Sequence, residues 1–138
     1  MNKYHFDEID VGRKEGFDIV ISQEMMDSFR KITGDCNPLH NDIQFAVSQG
    51  YQNSVSYGML TASFLSTLAG VYLPGMYSLI HSVSVDFVKP VIVGDELHVE
   101  GEVIEKDERF NTILLKVKIT NGSNAKVVRG KMRIGVSK

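Results

Sequence analysis

Asp35 and His40 stand five positions apart in the stretch Gly34-Asp35-Cys36-Asn37-Pro38-Leu39-His40-Asn41-Asp42, with an Asn-Pro step between them. Pro38 fixes its own φ and pushes Asn37 out of the helical region, so the stretch reads as a turn. A turn of this kind can hold a carboxylate and an imidazole against one small object, such as a water molecule, which is what general acid/base chemistry requires. The plainer reading is a helix-ending turn whose carboxylate and amide bond their own backbone. Cys36 lies four before His40, but a turn between them makes that spacing uninformative for a Cys-His nucleophile. Asp35, His40 and Asp42 form an incomplete ligand set, so no metal site is expected.

The elements that must position these residues are legible from caps and periodicity. Phe17 to Ile21 reads as a short strand, and Ser22 is a natural N-cap for a helix running to about Thr33 and closed by Gly34. The candidate site therefore begins where a helix stops. Asp42 can cap a second helix, Ile43 to about Gln49, ended by Gly50, with a loop from Tyr51 to Tyr57. Gly58 to about Leu73 is apolar or small on every side, which marks a buried helix, and Pro74-Gly75 ends it. Four strands follow: Tyr77 to Phe87, Glu96 to Val103, Thr112 to Thr120 and Ala125 to Val136. Asn121-Gly122 marks a hairpin between the last two. Leu97, Val99 and Val103 alternate with Glu96, His98, Glu100 and Glu102, so one face of the sheet is dry and the other wet. His98 falls on the wet face. A long buried helix with such a sheet implies an antiparallel sheet wrapped around the helix, an α+β domain spanning residues 1–138.

The spacing Gly34-Asp35, Asn37-Pro38-Leu39-His40, Asp42 and Ala46 resembles the signature of the MaoC-like, (R)-specific enoyl-CoA hydratases. Gly58-Met59-Leu60 and the run from Phe87 through Lys89-Pro90 to Gly94-Asp95 are similar to that family in the same order. Family members often carry a proline where Ile43 stands and a histidine where Tyr57 stands; neither departure removes the acid, the imidazole or the glycine. The resemblance implies a hot-dog fold, a homodimer or higher even oligomer, and interconversion of a trans-2-enoyl thioester with its (R)-3-hydroxyacyl form without a cofactor. It also implies that Asp35 and His40 bind and activate water while the Gly58 amide receives the thioester oxygen. Asn37 holds a match position and either shapes the turn or holds substrate. Ser66 matches a position that borders the acyl pocket in the family, or else bonds back to its own helix.

On a helix starting at Gly58, Ala62, Leu65, Ser66 and Ala69 fall on one stripe leading away from the oxyanion donor, so the small Ser66 and Ala69 are candidates for the acyl tail. Lys89 reads as a surface lysine, with a CoA phosphate as its functional alternative. A hot-dog thioesterase, needing only one carboxylate and the oxyanion donor, is the first rival; a non-catalytic acyl-thioester binding module is the second, and it has no need of both Asp35 and His40.

Composition excludes other classes. The 138 residues carry a net charge of −2, which offers no footprint for nucleic acid or an anionic membrane. Polar residues and glycines interrupt the longest apolar run, so no membrane span is expected. A lone cysteine and an N-terminus without a basic-then-apolar leader lead us to expect a cytoplasmic protein. Whether the acyl carrier is CoA or an acyl carrier protein stays open.

Overall fold

The computed structural model describes residues 1–137. Its elements run β1 (Lys14–Val20), α1 (Gln23–Thr33), α2 (Pro38–Asn41), α3 (Ile43–Ser48), α4 (Gly58–Thr67), β2 (Ser78–Phe87), β3 (Glu96–Asp107), β4 (Thr112–Thr120) and β5 (Lys126–Val136). The strands form one antiparallel sheet in the order β1-β3-β4-β5-β2. The caps sit where their chemistry puts them. Ser22 Oγ accepts the Met25 N–H at 3.2 Å, Gly34 closes α1 at φ 73°, and Asp42 Oδ1 accepts the Phe45 N–H at 3.0 Å.

The helix expected from Gly58 to Leu73 changes its winding partway. After Thr67 it widens into a π turn, Leu68–Tyr72, in which the Leu73 N–H reaches back to the Leu68 carbonyl at 2.8 Å. That turn contacts β1, β2 and β3, so it seats the helix across the dry face of the sheet. Gly101 on β3 makes the close seat possible: a Cβ there would lie 2.9 Å from Leu68 Cδ2.

β3 runs four residues beyond the expected Val103, because a bulge between Val103 and Glu105 restarts its pairing with β4. Val99, Val103, Leu115, Val117, Ile119, Val128, Met132 and Ile134 line the dry face and are buried. His98 stands on the wet face as expected, with Nδ1 2.7 Å from Asp18 Oδ1. The β4–β5 connection turns at Asn124, φ 60°, while the Asn121 side chain accepts the N–H groups of Ser123 and Ala125. β2 is an edge strand. Its register places Val83 opposite Met132 and Phe87 opposite Val128, on the apolar side of the sheet. Yet Val83 is 47% and Phe87 51% exposed.

Candidate active site

The turn after α1 is built from its own side chains. Asp35 Oδ1 accepts the Asn37 N–H at 3.1 Å, and the Asp35 N–H donates to Thr33 Oγ1 at 3.2 Å. Asn37 Oδ1 accepts the Leu39 N–H at 3.0 Å, and Pro38 follows as the first residue of α2. Asn37 thus spends its carbonyl on the turn and does not line the cavity described below, which favours the shaping role over the substrate-binding one.

α2 delivers His40 to the loop before α4. The Val55 N–H donates to the Leu39 carbonyl at 3.1 Å, and His40 Nδ1 lies 2.7 Å from the Val55 carbonyl oxygen. A carbonyl oxygen can only accept, so Nδ1 carries the hydrogen, and in the neutral ring Nε2 keeps its lone pair for a proton. The loop residues next in line complete the surroundings. The Tyr57 ring lies 4.2 Å from the His40 ring, centroid to centroid, and its hydroxyl donates to the Asp35 main-chain carbonyl at 2.7 Å. Burial, and then the neighbouring Asp35 carboxylate, push the Tyr57 phenol above its ordinary range, so it remains a donor.

Gly58 opens α4, whose N-terminus no side chain caps. The first N–H groups of a helix have no partner inside it and sit at the positive end of its dipole. A Cβ at Gly58 would lie 3.2 Å from the Phe87 ring, so any larger residue would crowd the wall at this point. His40, Gly58, Ser56, Thr61, Phe87 and Val91 share the walls of a cavity of about 270 Å³. Most of the remaining lining is apolar. Besides His40 and the exposed Lys89, the polar groups on the wall are the buried hydroxyls of Ser56 and Thr61, 3.1 Å apart. A larger hollow of about 420 Å³ lies on the wet face among Lys14, Glu100, Lys116 and Lys131. It lacks the imidazole and the helix N-terminus, which makes the smaller one the candidate site.

Matching of protein families assigns residues 6–125 to the MaoC-like domain. The chain belongs to the MaoC-like domain family. It is 33% identical over 119 residues to an (R)-specific enoyl-CoA hydratase of Aeromonas caviae, covering 85% of this chain and 89% of that protein. It is 34% identical over 101 residues to a 3-hydroxybutyryl-CoA dehydratase of Methylorubrum extorquens, covering 73% of this chain and 64% of the other. Among solved structures, the unliganded R-hydratase of Pseudomonas aeruginosa superposes with a TM-score of 0.93 at 28% identity, over 97% of this chain and 86% of that one. The A. caviae (R)-hydratase superposes at 0.90 with 32% identity, over 94% and 98%. The expected hot-dog fold is therefore the observed one.

Within this MaoC-like site the expected residues divide. His40 and Gly58 meet at one cavity. Asp35 is exposed at the turn and does not line the cavity within a single chain; Tyr57 links it to His40. Lys89 is exposed and also on the cavity wall, so both of its readings remain compatible with its place.

In the single chain the expected acyl stripe lies away from the cavity. Ser66 lies on the exposed side of α4, whereas Leu65 and Ala69 are buried in the core, and none of them lines the cavity. Leu65 and Ala69, four residues apart, share the core-facing side, while Ser66, one residue on from Leu65, turns outward. Ala69→Leu is therefore expected to overpack the core and cost ~1–3 kcal/mol of stability. Relative rates on short- and medium-chain enoyl-CoAs should stay as they are. Thermal melting beside a chain-length profile checks this, and a shortened profile at unchanged stability would return Ala69 to the pocket.

Sequence reasoning passed over Val55, Ser56, Tyr57, Thr61 and Phe87. The available signal was their place: all but Phe87 lie within three residues of Gly58.

Proposed function

We infer that this MaoC-like chain is a hydratase/dehydratase interconverting a trans-2-enoyl thioester and its (R)-3-hydroxyacyl thioester. The observation that carries the reading is the His40 ring, tied through Nδ1 to the Val55 carbonyl and sharing one small cavity with the uncapped start of α4 at Gly58. The relatives named above supply the substrate class and the (R) configuration.

Hydration requires a base to take a proton from water as it attacks C3 and an acid to deliver one to C2. His40, through Nε2, and Asp35, at the adjoining turn, act on one water: its hydroxyl goes to C3 and the proton the pair takes from it is handed on to C2, so the pair ends as it began. Negative charge growing on the thioester oxygen is met by the Gly58 N–H at the positive end of the helix. A glycine there lets the carbonyl approach the backbone. A cavity of about 270 Å³ is smaller than the ~300–1,000 Å³ of pockets that take drug-sized ligands, so it suits the reacting end of the acyl chain. The rest of the thioester, borne by CoA or an acyl carrier protein, would leave past the exposed Lys89.

The working form is a homodimer or a higher even oligomer, in the cytoplasm and in the service of fatty-acid chemistry. Support for the dimer comes from the edge strand β2, where Ile80, Val83 and Phe87 are apolar and incompletely covered. No described helix is long and apolar enough to cross a membrane.

The direct test is incubation with crotonyl-CoA. Loss of the enoyl-thioester absorbance with no release of free CoA thiol is the expected result. Thiol release without hydration would replace this reading by a thioesterase, and neither change would leave an acyl-thioester binder.

A further inference from the structure

We propose that Tyr57 is a positioning residue that holds the acid/base pair and the oxyanion donor in one register. This rests on the hydratase reading with Asp35 and His40 as the pair. Tyr57 stands at the N-cap position of α4, yet its side chain caps nothing there. Instead the phenol reaches across 22 positions to donate to the Asp35 carbonyl at 2.7 Å. The ring packs at 4.2 Å on the His40 imidazole, and Phe29 packs against the Tyr57 ring at 4.9 Å. The Tyr57 main chain also serves the start of α4, since its carbonyl accepts the Thr61 N–H at 3.1 Å and the Ser56 hydroxyl at 3.3 Å.

One buried residue, 2% exposed, is thus bonded or stacked to the Asp35 turn and the His40 ring, and it directly precedes Gly58. Asp35 needs such an anchor. Its own turn is exposed, and apart from Tyr57 it is held by the short local bonds to Thr33 and Asn37. A reacting pair shifted by about 1 Å loses rate by as much as ~10²-fold, so the reach of the phenol to the Asp35 main chain sets turnover without touching substrate. The ring does the same for His40, whose other fixed point is the Val55 carbonyl.

The test is a kinetic cycle on crotonyl-CoA with Tyr57→Phe and Asp35→Asn, alone and together. Tyr57→Phe keeps the ring on His40 and removes only the hydroxyl. Its expected effect is a kcat lowered about ten- to hundredfold with KM changed much less. In the Asp35→Asn background the same change should cost almost nothing, because the hydroxyl acts through the residue already disabled. A native kcat in Tyr57→Phe, or the full loss repeated in the Asp35→Asn background, overturns the proposal.

Should Tyr57→Phe not yield folded protein, Tyr57→Leu takes its place; it withdraws both the phenol and the ring, and a native kcat in it overturns the proposal. Asp35→Asn turning over at the native rate would remove the acid/base reading itself and the Tyr57 role with it. Asp35→Asn inactive beside a fully active Tyr57→Phe would remove the Tyr57 role alone.

Discussion

His40→Ala and Asp35→Asn are each expected to lower the hydration rate by at least ~10²-fold while leaving the fold in place, the loss typical of a positioned acid or base. The two changes are mild for different reasons. Asparagine at 35 still offers an Oδ1 to the Asn37 N–H, so the turn keeps its bond at that point and loses only the carboxylate charge. Alanine at 40 removes the bond to the Val55 carbonyl, but the Val55 N–H remains bonded to Leu39 and keeps the loop against α2. If both residues serve one water, as proposed, the double mutant should lose far less than the product of the single losses. Cys36→Ser should be close to silent, since the thiol is exposed and unbonded to either partner. Steady-state rates on crotonyl-CoA, read beside circular dichroism, decide the matter. Full activity in either single mutant would remove that residue from the chemistry.

What the sequence made legible was local. Ser22, Gly34 and Asp42 act within three or four residues of themselves, so their caps could be read without knowing where the chain went next. β3 and β4 were legible because apolar and polar residues alternate along them. The parts that escaped depend on meetings between distant segments. His40 is held by a carbonyl 15 positions away, and Asp35 by a phenol 22 positions away. No pattern of side-chain types encodes which main-chain oxygen will be free to accept. The acyl stripe shows the same limit: periodicity puts Leu65 and Ala69 on one face, but that face packs into the core of the single chain and not on the cavity. Tyr57 was visible only as a departure from the family pattern, next to a glycine that drew the attention.

Val83→Lys is expected to dissociate the proposed homodimer and to take most of the activity with it. Val83 lies on β2, at the free edge of the sheet, and its register partner Met132 is fully buried, so Val83 belongs to the apolar side. It is nonetheless 47% exposed in the single chain, as are its strand neighbours Phe87 at 51% and Ile80 at 37%. A second copy laid along β2 would cover this row, and a lysine within it would bring an unpaired charge into a closing apolar contact. A lysine on an edge strand is also a common natural device against edge pairing. Desolvating such a charge costs several kcal/mol, and each ~1.4 kcal/mol weakens association about tenfold.

Val83 does not line the cavity, whereas Phe87 does. Any loss of turnover in Val83→Lys would therefore arise through the missing partner and not through a damaged wall. Asp35 is exposed in one chain and the cavity wall includes Phe87 of β2, so a partner lying along β2 would shut out bulk water and strengthen every electrostatic interaction within. Sedimentation at micromolar concentration should show the native chain at twice its formula mass and Val83→Lys at the single mass. Val83→Ile, which keeps the row apolar, should stay dimeric and active. A native chain that sediments as an active monomer would end the interface assignment and leave the exposed row on β2 without a role.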